Sequence, residues 1–201
     1  EVAERLRDRF GWPIVYDCMD DHAGFFYNTE AVLAREARLA RTADLVVATS
    51  EPLRARLAAR PGPTLLLRNA CEYEAFRGAG TPRRGRGHRP LIGYYGAIAE
   101  WFDGEIVAEL ARLRPSWRFV LIGSTLAGDT SPLLSRPNVR LLGERPYAEL
   151  PALVRDWDAF IIPFQRVPLT EATNPVKVYE MLATGKPIVA VGLPELVPIA
   201  Q

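Results

Sequence analysis

The feature that most constrains this chain is an alternation. Short apolar runs recur at Pro13-Ile14-Val15-Tyr16, Leu45-Val46-Val47-Ala48, Thr64-Leu65-Leu66-Leu67 and Leu91-Ile92-Gly93-Tyr94-Tyr95-Gly96. They return at Trp117 to Gly123, Val139 to Leu142, Ala159-Phe160-Ile161-Ile162-Pro163 and Ile188-Val189-Ala190-Val191. Stretches with helical spacing stand between them. Runs that are apolar throughout read as buried strands, and strand–helix–strand succession requires right-handed crossovers and parallel pairing. The predicted class is α/β.

The helices carry punctuation. Val2 to Arg9 ends against Gly11 and Pro13, and Asn28 or Thr29 caps a helix through Arg41 with Ala31, Leu33, Ala34, Ala37 and Leu39 at helical spacing. Ser50 caps another to about Ala59, Asp103 caps one carrying Ile106, Val107, Leu110 and Leu113, and Tyr147 to Arg155 is helical. The most fully marked helix follows a loop over Phe164 to Thr173. There Asn174 suits the N-cap, Pro175 the first position, Val176 the apolar face, and Gly185 a left-handed C-terminal residue. Lys177 and Glu180 lie three apart, on one side of that helix. Free amides and a lysine at a helix start suit a diphosphate, and a carboxylate one turn on suits a ribose diol. The same pair also reads as a solvated ion pair on an ordinary helix.

Gly96 ends a strand, and its bare backbone would let a phosphate approach, although Gly93-x-x-Gly96 alone equally marks a tight turn. In open α/β sheets ligands bind beyond the carboxyl ends of the strands, where these loops fall.

Composition narrows the function classes. The formal net charge is +1, which gives no general steering toward nucleic acid, and of the 25 basic residues only Lys177 and Lys186 are lysines. Cys18 and Cys71 form no CxxC pair, so a disulfide framework or zinc site is not expected and a reduced, cytoplasmic setting fits. No run of eighteen apolar residues occurs. Arg77 to Pro90, rich in Gly, Arg and Pro, reads as a linker. The expected division is therefore residues 1–78, a linker over 79–90, and residues 91–201. The start at Glu1 inside a helical pattern and the end at Gln201 just after a strand read as a piece of a longer protein.

Several motifs agree in order and spacing. Asp158-Ala159-Phe160-Ile161-Ile162-Pro163, a loop, then Tyr179-Glu180-Met181-Leu182-Ala183-Thr184-Gly185-Lys186-Pro187 resemble the donor-binding block of the retaining, nucleotide-sugar-dependent GT-B glycosyltransferases that build bacterial surface polysaccharides. Ala43 to Ser50 followed by Leu67-Arg68-Asn69-Ala70 is similar to the last part of that family's N-terminal domain. Gly143-Glu144-Arg145-Pro146-Tyr147 resembles its nucleobase-side loop. The resemblance implies two Rossmann-like parallel-sheet domains, the N-terminal one only partly present and the C-terminal one truncated at its end. It implies transfer of a sugar from a nucleoside diphosphate donor to a glycan or lipid-linked acceptor, with no cofactor and no metal. It further implies a cytoplasmic protein that can meet a membrane through a missing N-terminal part. Carried over residue by residue, Glu180 contacts the ribose, and Gly96, Arg145, Tyr147, Asn174, Pro175, Val176 and Lys177 line the donor site.

Three departures stand out. The family commonly places a second glutamate eight residues before the ribose-binding one, and here that position is Ala172, with Glu171 beside it. Its usual Arg and Lys pair after the glycine turn is absent, since Ala97-Ile98-Ala99-Glu100-Trp101-Phe102-Asp103 stands there. Met19-Asp20 stands where His-Asp is common, with Asp17, Asp21 and His22 nearby. These four, Asp17, Asp20, Asp21 and His22, admit three readings: acceptor-side or general-base groups, divalent-metal ligands, or residues capping a turn. Two other functions share the pattern, a nucleotide-sugar epimerase of the same fold and a nucleotide-binding module without turnover.

Overall fold

The computed structural model describes residues 2–78, 87–125 and 127–200. The expected linker thus lies largely outside the described residues. In chain order the first elements are α1 (Val2–Phe10), β1 (Val15–Cys18), α2 (Glu30–Thr42), β2 (Leu45–Ala48), α3 (Glu51–Arg56), β3 (Thr64–Leu66) and α4 (Tyr73–Phe76). They continue as β4 (Leu91–Tyr95), α5 (Gly104–Leu113), β5 (Arg118–Ile122), α6 (Ser131–Leu134), β6 (Val139–Leu141), α7 (Leu150–Leu153) and β7 (Ala159–Ile162). The last are α8 (Pro168–Ala172), α9 (Val176–Ala183) and β8 (Ile188–Ala190). All eight strand expectations are met within about two residues. Helix starts follow the caps: Thr29, Ser50 and Asp103 accept from the amides of Val32, Leu53 and Ile106 at 3.4, 3.2 and 2.9 Å.

The chain forms two compact units. The first comprises Glu1–Asn69, Val167–Asn174 and Leu193–Gln201, and the second Ala70–Arg166 and Pro175–Gly192. This differs from the division at 78 because α4 belongs with the second unit. There Phe76, fully buried, packs against Tyr95 and Tyr147 with ring centroids 6.3 and 5.8 Å away.

In the first unit β1, β2 and β3 form a parallel sheet in that order, with Val15 opposite Leu45 and Val46 opposite Thr64. Side chains alternate across it. Tyr16, Cys18, Val46 and Ala48 turn into a core with Ile14, Ala40 and Leu53. Val15, Leu65 and Leu67 turn the other way and are 59%, 54% and 66% exposed. An apolar parallel-sheet face of this kind is ordinarily covered by helices. The two returning segments are tied down at Glu195, which is 5% exposed. Its carboxylate accepts from the Glu51 amide at 2.8 Å, Arg68 Nε at 2.7 Å and Asn174 Nδ2 at 3.1 Å. Ser50 Oγ adds a bond to the Ala172 carbonyl at 2.5 Å. Removing a buried carboxylate strands every donor that pointed at it. Glu195→Ala is expected to lower stability by about 3 kcal/mol, read as an earlier urea midpoint with unchanged slope.

The second unit holds a five-stranded parallel sheet in the order β6-β5-β4-β7-β8. β4 is central and every residue in it is buried. Its chain neighbours β5 and β6 lie to one side and β7 and β8 to the other, so the topology reverses between β4 and β7. A crevice opens at such a reversal beyond the carboxyl ends of the strands. Gly93 permits the close packing behind it, because a methyl group there would stand 2.0 Å from the buried Trp157 ring.

Candidate functional site

The crevice of the second unit begins with two glycine turns. Gly96 follows β4 with φ +129° and Gly123 follows β5 with φ +152°. The Gly96 amide donates to the Ile122 carbonyl at 2.8 Å, and the Ile98 amide to the Ser124 carbonyl at 2.8 Å. The turns are so close that a methyl group on Gly123 would stand 1.9 Å from the Gly96 carbonyl oxygen. Beyond them lies a cavity of about 180 Å³ whose lining includes Tyr95, Gly96, Gly123, Ser124, Glu144 and Arg145. Gly96 and Arg145, each expected in the site, therefore share one cavity.

α9 supplies the charged groups. It starts one residue later than its sequence suggests: Pro175 occupies the cap position without a side-chain bond, and Asn174 is turned elsewhere. Asn174, 2% exposed, belongs to the first unit, where its Oδ1 accepts from the Asn69 amide at 3.0 Å and its Nδ2 donates to Glu195. The cap expected of Asn174 is thus replaced by bonds at both ends of its amide, where a helix cap would use only the oxygen. Val176 is 40% exposed at the first turn. Gly185, at φ +71°, takes the left-handed position after the helix as its sequence suggests. Lys186 is buried and donates to the carbonyls of Val154 and Arg155 at 2.6 and 2.5 Å, and burial holds its pKa below the usual lysine range.

Lys177 and Glu180 serve different places. A methyl group on Gly96 would meet Lys177 Cε at 2.6 Å and Nζ at 3.1 Å, so the lysine lies along the glycine turn. Glu180 is 4% exposed, on the packed side of α9. Burial, and then the Glu180 carboxylate, push the Tyr95 and Tyr147 phenols above the usual tyrosine range. The Cys71 thiol is raised by the same two causes in the same order. A carboxylate sunk among two phenols and a thiol is not the solvated ion pair of an ordinary helix. It is an acceptor placed where hydroxyls gather.

The acidic residues after β1 do not form one cluster. Asp17 projects from the exposed sheet face. Asp20 accepts from Thr173 Oγ1 at 3.3 Å. Asp21 caps a 3-10 turn by accepting from the Ala23 amide at 3.1 Å, and pairs with Arg56. His22 opens that turn, its ring 6.3 Å from Phe25. Among the described residues no three or more His, Cys, Asp or Glu side chains gather as metal ligands. A larger groove, about 500 Å³, is lined by α2, the end of α3 and Asp21. Two of its arginines are engaged, Arg56 with Asp21 and Arg60 with the carbonyls of Ala40, Ala43 and Pro63.

Sequence reasoning missed Cys71 beside Glu180, because Ala70 to Phe76 reads as the tail of the first domain. It also missed Tyr94 and Phe164, whose rings lie 5.7 and 5.1 Å from Lys177 Nζ. Aromatic residues in buried strands read as core, and nothing in their spacing marks them as neighbours of a cation.

Comparisons with known proteins agree with the fold. The family model described as glycosyl transferases group 1 matches residues 89–199, more than half of the chain. TuaH of Bacillus subtilis (strain 168), named for a teichuronic acid biosynthesis glycosyltransferase, is 29% identical over 210 residues, which cover 94% of this chain and 53% of TuaH. Among solved structures, Anabaena HepE in complex with UDP and glucose superposes with a TM-score of 0.73 at 20% identity, covering all of this chain and 58% of HepE. Sucrose-phosphate synthase from Thermosynechococcus elongatus gives 0.73 at 18% identity, covering 97% and 54%. The chain thus spans a little over half the length of these relatives. Its fold is α/β with parallel sheets, as in part of a GT-B glycosyltransferase. No helix of the described residues is long and apolar enough to cross a membrane.

Proposed function

The chain belongs to the glycosyl transferases group 1 family, and on that premise we propose that its second unit binds a nucleoside diphosphate sugar for transfer to a glycan or lipid-linked acceptor in surface polysaccharide synthesis. The observation that carries the proposal is the meeting of α9 with the glycine turn: Lys177 lies against Gly96 while Glu180 is buried three residues further on. Lys177, with the first amides of α9 at Val176 and Lys177, takes the diphosphate. Glu180 accepts from the ribose hydroxyls, and Arg145 and Tyr147 border the nucleobase.

Chemistry then rests on charge and position. The bond between the anomeric carbon and the diphosphate oxygen breaks as the acceptor oxygen bonds to that carbon, and the acceptor proton passes to the departing diphosphate. Negative charge grows on the departing diphosphate, where an ammonium and fixed amides stabilise the transition state more than the ground state. In the first unit Asp20 and His22 are the groups we assign to the acceptor, since Asp21 is committed to Arg56. The test is an assay of the intact protein with UDP-sugars, with and without lipid-linked and glycan acceptors. UDP release that requires an acceptor is the expected result. Conversion of the UDP-sugar without any acceptor would replace transfer by epimerisation, and binding without either would leave a nucleotide-binding module.

A further inference from the structure

Lys177 stands where the family resemblance leads one to expect an Arg and Lys pair in the preceding loop, and that loop offers no cation between Ala97 and Asp103. What the loop offers instead is aromatic. Phe102 is 5% exposed and its ring lies 4.9 Å from Tyr94, and Phe164 meets the edge of Tyr94 at 6.3 Å and 73°. The loop is sewn to the end of β7: Phe102 and Phe164 form an antiparallel bridge, the Asp103 amide donates to the Pro163 carbonyl at 2.7 Å, and the Gln165 amide to the Trp101 carbonyl at 2.8 Å. Tyr94 is fully buried and its hydroxyl donates at 2.9 Å to the carbonyl of Ala97, the residue after the turning glycine.

Over these rings sits the Lys177 ammonium, 5.7 Å from the Tyr94 centroid and 5.1 Å from that of Phe164. A lysine on a four-carbon stem has many rotamers, and holding one against an anion site is entropically unfavourable. A ring face within about 6 Å attracts an ammonium and remains in place when water is expelled. We infer that Tyr94 and Phe164 are positioning residues that hold the Lys177 ammonium beside Gly96 for the donor diphosphate, so that one lysine from α9 does the work of the missing pair. The inference rests on the nucleotide-binding reading above. Tyr94 has a second part in it, since its hydroxyl fixes the glycine turn while its face holds the cation.

The test compares UDP with uridine by calorimetry on the intact protein, because only UDP carries the charge that Lys177 would meet. Phe164→Leu, and Phe164→Met as a variant that better keeps the volume, are expected to weaken UDP about tenfold and leave uridine unchanged. Phe164→Tyr should restore UDP binding. Lys177→Ala should weaken UDP at least as much, and adding Phe164→Met to Lys177→Ala should cause little further loss, as expected for coupled groups. If Phe164→Met binds UDP like the parent while Lys177→Ala does not, the aromatic role falls and the diphosphate reading stands. If Lys177→Ala also binds UDP normally, both fall. An equal loss of UDP and uridine in the Phe164 variants would reduce Phe164 to a packing residue and overturn the inference.

Discussion

Gly123→Ala should lose both stability and nucleotide binding, and lose them together. The new methyl group would stand 1.9 Å from the Gly96 carbonyl oxygen and 2.6 Å from its carbon. Neither atom is the end of a flexible side chain, so the two turns must part. Their parting breaks the geometry in which the Gly96 and Ile98 amides bond across to Ile122 and Ser124. The φ of +152° adds strain for any L side chain. Overpacking and backbone strain together are expected to lower stability by about 3 kcal/mol, and UDP affinity should fall by more than about thirtyfold. Gly11→Ala, in the first unit, is the control. It has φ +70° but nothing within 4 Å of the added methyl group, so it should cost only about 1 kcal/mol and leave UDP binding close to the parent.

Glu180→Ala is expected to act on binding far more than on folding. Glu180 sits among Tyr95, Tyr147 and Cys71, and its charge raises the pKa of all three. Its phenol neighbours are neutral near pH 7, so Tyr95 and Tyr147 lose a hydrogen-bond acceptor rather than an ion-pair partner, a cost of about 1 kcal/mol. Relief of a buried charge offsets part of that cost, and the small cavity left behind adds to it. A charge-assisted bond to a ribose hydroxyl, by contrast, contributes about 1.5–3 kcal/mol, so UDP affinity should drop about 10- to 100-fold. The sign of the accompanying titration is fixed as well. Without the carboxylate the Tyr147 phenol should ionise at lower pH than in the parent, which ultraviolet titration reads directly.

Much of this arrangement is legible in the sequence because it depends on local chemistry. The apolar runs place all eight strands, and Thr29, Ser50 and Asp103 start their helices, because cap and pattern act within a few residues. Lys177 and Glu180 can be singled out since one turn of helix relates them. What escapes local reading is decided at long range. Asn174 has every property of a cap, yet Asn69 and Glu195, distant in sequence, compete for its amide and win. α8 forms where a loop is expected because Leu169, Thr170 and Ala172 find burial in the first unit, which no property of Pro168-Leu169-Thr170-Glu171-Ala172 announces. Asp17, Asp20, Asp21 and His22 are close in sequence and still diverge, since strand alternation sends Asp17 to one face and a cap claims Asp21. The residues proposed for the donor follow from spacing; those proposed for the acceptor depend on packing.

The most direct test of the account is a calorimetric cycle of two proteins and two ligands: the parent and Glu180→Ala, each titrated with UDP and with 2′,3′-dideoxy-UDP. If Glu180 holds the ribose diol, the parent should bind the dideoxy ligand about 10- to 100-fold more weakly than UDP, and the two ligands should bind Glu180→Ala within about threefold of each other. Equal binding of both ligands by the parent, or a dideoxy penalty that persists undiminished in Glu180→Ala, would contradict the assignment of Glu180 and with it the donor site built around α9.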